Sequence, residues 1–129
     1  MAGCATTPGD KQLVGEWACV SAVVDGKALP EKTVQALRLT LTSDRYITRR
    51  GDEVLFDSVY RLERDAQPHR IYMVGNEGEL TGKEASGIYK IDDGALTICY
   101  AMPGDPRPAE FASISGSKAY LTTWRRANK

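Results

Sequence analysis

A cysteine and a histidine are the residues of this chain whose types could perform covalent chemistry. Cys99 offers a thiol, and His69, the single histidine, offers an imidazole that could act as its base. Such a pair needs a third group to orient the imidazole, and the sequence contains neither that group nor a Gly-x-Ser-x-Gly elbow or a phosphate-binding loop. We therefore predict no catalytic residues and a protein that is not an enzyme. A hydrolase that depends on His69 remains the weakest hypothesis.

Arg107 is the most distinctive charged residue because it stands between Pro106 and Pro108. The two prolines restrict the loop backbone, so the guanidinium could be presented to a carboxylate at a low entropic cost. The alternative is an intramolecular salt bridge, or a stacking contact that closes one end of the fold. We favour that structural role and retain Arg107 as a candidate ligand-binding residue.

The composition argues against several classes of partner. Seventeen basic residues balance seventeen acidic ones, so no net charge attracts nucleic acid. No Cys-x-x-Cys or histidine-rich spacing suggests a metal site, and we predict no metal and no cofactor. No apolar run approaches the roughly 18 to 20 residues that a spanning helix requires, so we expect a soluble domain. We also expect it to be a monomer.

Extended runs separated by turn residues are typical of an all-β protein. The eight main runs are Leu13 to Val24, Leu37 to Thr42, Arg45 to Arg50, Val54 to Glu63, His69 to Val74, Ala85 to Asp92, Ala95 to Ala101 and Ala119 to Arg125. The segment from Pro30 to Ala36 predicts the one helix, with a proline in its first turn. Eight sequential strands favour an antiparallel up-and-down barrel with a short helix after the first strand.

The segments between the predicted strands contain residues that indicate turns and loops. Asp25-Gly26 and Asp93-Gly94 are turn pairs, since glycine accepts a positive φ. The polar, glycine-rich segment from Gly75 to Lys83 is expected to be the most mobile loop. Prolines make the segment after Ala101 a stiff loop, in which Phe111 to Ile114 could form a short extended piece.

Alternation along the strands predicts which side chains face the barrel interior. Within the run from Val54, we place Val54, Phe56, Ser58, Tyr60 and Leu62 on one face. The predicted interior set is Leu39, Leu41, Phe56, Tyr60, Tyr89, Ile91, Leu96, Ile98 and Tyr100. An eight-stranded barrel can fill itself with side chains or hold one small ligand. We favour a filled barrel or a small cavity, and we choose Leu39, Leu41, Phe56, Tyr60, Tyr89, Ile98 and Tyr100, with Arg107, as ligand-binding residues.

The three cysteines divide into two groups. Cys4 follows small residues and precedes a polar stretch, which resembles the lipobox and mature start of a bacterial lipoprotein, so we expect lipidation there and a place in the cell envelope. The alternative is an ordinary disordered start in a cytoplasmic protein. Residues 1–11 would form the tether and residues 12–127 the barrel. Cys19 and Cys99 lie in different strands and are expected to be free thiols.

Several ordered motifs give the chain a family resemblance. They are Leu13-Val14-Gly15-Glu16-Trp17, Ser21, Asp25-Gly26-Lys27-Ala28-Leu29-Pro30, Gly87-Ile88-Tyr89-Lys90-Ile91-Asp92, Leu96-Thr97-Ile98-Cys99-Tyr100, Pro103-Gly104, Arg107-Pro108 and Phe111. With these motifs the chain resembles the lipocalin-like domains of uncharacterised function that are abundant in planctomycete bacteria. The resemblance implies a calycin-type barrel and implies no settled reaction.

The resemblance also implies a structural cluster at the closed end of the barrel. A tryptophan of the first strand, here Trp17 after Gly15, would be covered by an arginine of the last strand. Arg125 and Arg126 are both candidates, with Trp124 as a competitor for the stacking, and we choose Arg125. Burial of an indole contributes roughly 4 to 6 kcal/mol, so folding alone accounts for Trp17.

Two functions are compatible with these patterns. The leading hypothesis is a non-enzymatic module that binds a small apolar or aromatic molecule inside the barrel, with the helix and the Gly75 to Lys83 loop as lids. The other is a filled barrel that acts as a protein-interaction or inhibitor module through its loops, with the loop around Arg107 as the contact element.

Overall fold

The computed structural model describes residues 13–76 and 81–127. Their nine strands and one helix are β1 (Gly15–Val24), β2 (Lys27–Ala28), α1 (Glu31–Ala36), β3 (Leu37–Leu41), β4 (Arg45–Arg50), β5 (Glu53–Glu63), β6 (His69–Gly75), β7 (Glu84–Asp92), β8 (Ala95–Ala101) and β9 (Tyr120–Arg126). The predicted strands and helix are all present, most with bounds within two residues of those expected. The predicted tether, with Cys4, lies outside the described residues.

A single antiparallel sheet closes on itself to make the barrel. Each long strand pairs with the next one along the chain, and β9 pairs with β1, while β2 adds only a two-residue hairpin to the end of β1. Closure removes the unpaired sheet edges that would otherwise invite association. The prediction of an all-β, eight-stranded up-and-down barrel with one short helix after the first strand is confirmed.

Two tight turns have the positive φ angles that their Asp-Gly sequences predict. Asp25 and Gly26 have φ of 52° and 82°, and Asp93 and Gly94 have φ of 56° and 78°. Two consecutive residues at positive φ match the twist of the strands that they join. These turns fix the β1–β2 and β7–β8 hairpins, which place Val24 opposite Lys27 and Asp92 opposite Ala95.

The long connection between β8 and β9 covers the outside of the barrel. Ile88, Cys99 and Ala119 are buried there, with Phe111 and Leu121 packed against them. The Cys99 thiol also lies 3.4 Å from the Ala112 carbonyl, to which it donates. The extended piece expected from Phe111 to Ile114 is not a strand. Cys19 and Cys99 are free thiols, as predicted.

Most of the side chains predicted to face the core are buried, and the three exceptions are Ile91, Val54 and the half-buried Phe56. Leu39, Leu41, Tyr60, Tyr89, Leu96, Ile98 and Tyr100 are all buried in the main core. Ile91 is 37% exposed, because it lies next to the turn that ends β7. Val54, predicted on the core face of its strand, is 46% exposed.

A β-bulge explains the error at Val54. Thr48 pairs with Phe56, but the next residue, Arg49, pairs with Val54, so Leu55 is an extra residue in β5. An extra residue shifts the alternation by one and turns the residues beyond it to the opposite face. Val54 consequently faces outward, and Phe56 is half-buried near the rim of the barrel.

The closed end of the barrel is held by Arg126, and not by Arg125 as predicted. The Arg126 guanidinium lies 4.3 Å from the Trp17 ring centroid and donates to the Val14 carbonyl at 2.6 Å. A Cβ atom at Gly15 would overlap this guanidinium. Trp17 completes the arrangement by donating its indole N–H to the Leu13 carbonyl at 2.9 Å. We call Val14, Gly15, Trp17 and Arg126 the terminal clasp.

Arg125 points elsewhere because neighbouring residues of a strand face opposite sides of the sheet. Trp17 pairs with Arg126, whereas Arg125 pairs with Ala18 and donates to the Asp93 carbonyl at 3.3 Å. Among the described residues, no helix is long and apolar enough to cross a membrane.

Candidate functional site

The barrel wall is incomplete at the end opposite the terminal clasp. β1 pairs with β3 only from Gly15 to Ala18, and beyond that point β1 continues beside β9 and β2. Helix α1 lies between the diverging strands and buries Val34 against the barrel. This divergence opens the interior, and α1 covers part of the opening.

Several hydrogen bonds hold α1 in this position. The Arg38 Nη1 group donates to the carbonyls of Gln35 and Leu37, both at 2.9 Å. The Gly51 amide donates to the Ala36 carbonyl at 3.1 Å and thereby ties the end of the helix to the β4–β5 turn. The helix is therefore anchored at its C-terminal end, while Glu31 and Lys32 at its start are exposed.

A cavity of about 350 Å³ occupies this open end. Its walls are mainly aliphatic and aromatic, and the polar side chains among them are threonines, tyrosines, one tryptophan and one arginine. The lining residues are Ala22, Val24, Leu29, Thr33, Leu37, Tyr46, Thr48, Arg50, Leu55, Phe56, Tyr100, Tyr120, Thr122 and Trp124. Ligand sites in proteins are typically concave, predominantly apolar and about 300 to 1,000 Å³ in volume. We call this space the mouth cavity.

A second, smaller space adjoins the mouth cavity. It measures about 30 Å³ and shares the side chains of Tyr46, Phe56 and Tyr100 with the larger cavity. Ser58 and Met102 are among its other lining residues. A volume of about 10 to 15 Å³ accommodates one water molecule, so this space suits a solvent molecule better than an organic ligand.

Most polar groups of the mouth cavity already have hydrogen-bond partners. The Thr122 hydroxyl accepts from the Trp124 indole N–H at 2.9 Å and donates to the Ile98 carbonyl at 3.4 Å. Tyr46 forms a side-chain hydrogen bond with Thr48. Burial raises the pKa of the Tyr46 phenol, which is therefore neutral at physiological pH.

Within the described residues, Tyr100 is one of three lining residues whose hydroxyls have no hydrogen-bond partner, together with Thr33 and Tyr120, and it is the most buried of the three. Its side chain is 7% exposed, and burial raises the pKa of its phenol well above the ordinary value. No described residue forms a hydrogen bond with its hydroxyl. Its ring stacks on Tyr120 with centroids 5.0 Å apart and an interplanar angle of 13°. Tyr100 thus contributes an aromatic face and an unused donor to the cavity.

A glycine on the neighbouring strand makes room for Tyr100. Gly87 pairs directly with Tyr100 across β7 and β8. A Cβ atom at Gly87 would lie 2.6 Å from the Tyr100 Cβ and 2.5 Å from the Cys99 carbonyl oxygen. The position therefore has no space for a larger side chain, and glycine allows the tyrosine to pack against the wall.

The barrel is filled at one end and hollow at the other. Of the predicted ligand-binding residues, Phe56 and Tyr100 line the mouth cavity. Leu39, Leu41, Tyr60, Tyr89 and Ile98 belong to the packed core, and none of them lines this cavity. Alternation gives the facing of a side chain but not its depth along the barrel, so it did not separate the packed core from the cavity lining.

Several lining residues were missed although the sequence contained a signal for them. Tyr46, Thr48 and Arg50 alternate along β4, as do Tyr120, Thr122 and Trp124 along β9. Each trio lies on one face of its strand and lines the mouth cavity. Alternation along these two strands therefore indicates which side chains line the cavity, once the pairing of the strands is known.

Arg107 lies outside the barrel wall, on the loop where the sequence placed it, and its role in ligand binding stays a prediction. Its guanidinium is 5.0 Å from the Tyr72 ring centroid, and Arg61 approaches the same ring at 4.6 Å. The Tyr72 hydroxyl donates to Glu63 at 2.6 Å. This hydrogen bond is the main cause of a lowered pKa for Glu63, to which the charges of Arg70 and Arg107 also contribute.

A shallow groove of about 390 Å³ runs along the loop that carries Arg107. Pro106, Pro108, Glu110 and Ile114 contribute to its walls. The Nε atom of Arg107 is buried and has no hydrogen-bond partner among the described residues. We call this feature the outer groove.

The thiol and the imidazole do not form a pair. His69 pairs with Tyr89, which in turn pairs with Ile98, so these three residues share the inner face of the sheet. Cys99 follows Ile98 and faces outward under the long loop, where burial raises the pKa of its thiol. The portion of the chain that the structure describes contains no cluster of side chains able to hold a metal ion.

Comparison of the chain with protein-family models, with curated proteins and with solved structures gives no match. Membership of the lipocalin-like family therefore stays a prediction. The mouth cavity and its lining carry the functional proposal.

Proposed function

We propose that this protein is a non-enzymatic, lipocalin-like binding module that holds a small apolar or aromatic molecule in the mouth cavity. The observation that supports it is a cavity of about 350 Å³ with largely apolar and aromatic walls, in a barrel whose other end is packed. The volume falls within the range of about 300 to 1,000 Å³ that is usual for ligand sites.

Packing energetics favour an occupant. The apolar walls at the open end face water, and removal of apolar surface from water is favourable by roughly 25 cal/mol per Å². An apolar ligand would cover Leu37, Phe56 and Trp124, which line the cavity. Helix α1 would act as a lid, because its first turn is exposed and its last turn is anchored.

A cavity-filling substitution tests this function. Ala22 is buried and lines the mouth cavity, so Ala22→Phe places an aromatic ring in the ligand space. Ser21, its exposed neighbour on the opposite face of β1, provides the matched control Ser21→Phe. The neutral fluorescent probe N-phenyl-1-naphthylamine would be titrated into each variant, with thermal unfolding as a check of folding.

We expect Ala22→Phe to weaken probe binding by at least about tenfold, which corresponds to 1.4 kcal/mol, and Ser21→Phe to leave it unchanged. Trp124 lines the cavity, so its fluorescence should report the same binding event. Unchanged probe affinity in a folded Ala22→Phe variant would contradict the proposal, as would a wild-type protein that binds no apolar probe.

The outer groove favours a second function, a protein-interaction or inhibitor module. The buried, unpartnered Nε of Arg107 and the flanking prolines are the observations in its favour. Pull-downs with wild type, Arg107→Ala and Arg61→Ala would test it, since Arg61 contacts the same Tyr72 ring but does not line the groove. Loss of a partner with Arg107→Ala alone would support this function, and identical partner lists would contradict it.

We also propose that the barrel is monomeric and is tethered to the cell envelope through a lipid on Cys4. The spacing of small residues before this cysteine supports the tether. Expression of the full reading frame with and without Cys4→Ser, followed by membrane fractionation and lipid labelling, would test it. Equal labelling of both proteins would end the idea.

A further inference from the structure

The charges around the mouth cavity restrict its ligand, and this inference rests on the proposed binding function. Arg50 is the one charged side chain that lines the cavity within the described residues. It is half exposed at the rim and forms an ion pair with Glu53 at 2.9 Å. An ionic ligand would lose its hydration without gaining a free counter-charge, which is costly. The lining therefore suits a neutral molecule.

The hydrogen-bonding groups restrict the ligand further. The hydroxyls of Tyr46 and Thr122 are engaged with neighbouring side chains or backbone. Among the described residues, the hydroxyls of Tyr100, Tyr120 and Thr33 have no partner, and Tyr100 is the most buried of these three. The Tyr100 phenol is held in its neutral form by burial, so it can donate a proton in a hydrogen bond. A ligand acceptor would pair with this hydroxyl among largely apolar walls, where a hydrogen bond is stronger than in water.

The aromatic walls favour a flat shape. Tyr46, Phe56, Tyr100, Tyr120 and Trp124 all line the cavity. Tyr100 and Tyr120 are already stacked nearly in parallel, with 13° between their planes. Aromatic rings pack against one another preferentially in offset-stacked or edge-to-face arrangements, and a planar ligand can adopt either one against these walls.

We propose that the mouth cavity selects neutral, planar ligands that carry a hydrogen-bond acceptor, and that the Tyr100 hydroxyl is the donor which selects them. A carbonyl oxygen on an aromatic ring is the simplest group of this kind. A site with a polar group ready to pair rejects the analogue that lacks the partner, because the protein group is then left unpaired. Tyr100 is thus a specificity-determining residue.

A matched set of ligands and variants tests the assignment. The ligands are 2-acetylnaphthalene, which has a carbonyl acceptor, and 2-isopropylnaphthalene, which has nearly the same shape and no acceptor. The anion 2-naphthoate tests the preference for a neutral molecule. The variants are Tyr100→Phe, which keeps the ring and removes the donor, and Tyr72→Phe, which makes the same change outside the barrel. Affinities come from titration of tryptophan fluorescence, and thermal unfolding confirms folding.

We expect the ketone to bind wild type more tightly than the hydrocarbon or the anion. Tyr100→Phe should weaken the ketone about three- to tenfold, in line with the loss of one neutral hydrogen bond, and should leave the hydrocarbon unchanged or slightly tighter. Tyr72→Phe should change neither affinity. If Tyr100→Phe weakens both neutral ligands equally, or if 2-naphthoate binds most tightly, the inference is wrong while the binding function stands. If no ligand binds wild type, the proposed function itself fails.

Discussion

At the scale of single residues, the terminal clasp explains why glycine and tryptophan occur two positions apart. Glycine leaves space for the Arg126 guanidinium, and the Trp17 ring gives that guanidinium a face on which to stack. The Val14 carbonyl accepts its hydrogen bond at 2.6 Å. One arginine therefore joins two ends of the sheet through both a cation–π contact and a charge-assisted hydrogen bond.

The clasp predicts different effects for two neighbouring arginines. Arg126→Ala should lower the free energy of unfolding by about 1 to 2 kcal/mol, because the cation–π contact with Trp17 and the hydrogen bond to Val14 are lost. Arg125→Ala should stay within about 0.5 kcal/mol of wild type, since Arg125 is exposed and makes one long hydrogen bond. Urea unfolding followed by tryptophan fluorescence measures both. Equal losses in the two variants would contradict this assignment.

The sequence shows that the two arginines lie on opposite faces of the last strand, but it does not show which of them meets Trp17. Trp124 and Arg126 share one face of the last strand, and Arg125 lies on the other. Only the register between the first and last strands shows which face Trp17 meets, and Trp17 pairs with Arg126. Register across a closing seam depends on the whole barrel, so the residue pattern alone left both arginines open.

At the scale of elements, the sequence predicted strands, turns and the helix well because each has a local cause. Alternation, the Asp-Gly pairs and Pro30 all act within a few residues. A β-bulge has no comparable local signal. The extra residue Leu55 turns Val54 to the opposite face of the sheet, although no neighbouring residue in the sequence indicates it. The divergence of β1 from β3, which opens the mouth cavity, has the same non-local origin.

The contact between β7 and β8 gives a prediction for one glycine. Gly87→Ala should destabilise the protein by about 1 to 3 kcal/mol, because the added methyl group meets the Tyr100 Cβ and the Cys99 carbonyl and forces the two strands apart. It should also weaken ligand binding, since Tyr100 lines the mouth cavity. Ser86→Ala, on the outer face of the same strand, should remain within about 0.5 kcal/mol. Denaturant unfolding of both variants tests this, and a Gly87→Ala protein as stable as wild type would refute the steric argument.

At the scale of the whole molecule, stability and binding are assigned to opposite ends of one barrel. Trp17, Leu39, Leu96 and Ile98 are fully packed toward the clasp, while Tyr46 and Tyr100 face the mouth cavity. Substitutions in the lining of the mouth cavity can therefore alter binding while the packed end keeps the barrel folded. Sequence composition could not locate this division, because large apolar residues occur along the full length of the strands.

The buried phenols predict a loss of stability in alkali. The pKa values of Tyr46 and Tyr100 are raised above the ordinary value near 10, so the folded state resists the deprotonation that the unfolded state undergoes. Their contribution to stability is complete below pH 10 and is lost as the pH rises from there toward the folded pKa. Each such group can steepen the decline by up to about 1.4 kcal/mol per pH unit.

Urea unfolding between pH 8 and pH 11 measures this effect. Tyr46→Phe and Tyr100→Phe should each show a shallower decline than wild type above pH 10. Tyr72→Phe, which changes a tyrosine outside the barrel, should follow the wild-type slope. A folded wild-type protein in which every phenol ionises near pH 10, as judged by ultraviolet absorbance, would rule out the effect.

The pairing of the first and last strands also determines how the molecule would respond to mechanical load. Trp17 lies beside Arg126, and the Ala127 amide donates to the Glu16 carbonyl at 3.0 Å, so the two ends of the barrel domain leave it at the same place. Tension applied to those ends would peel β1 from β9 one residue pair at a time instead of shearing all pairs together. The Arg126 guanidinium would be the first contact to yield, and the force needed to break it would set the threshold at which the barrel begins to open.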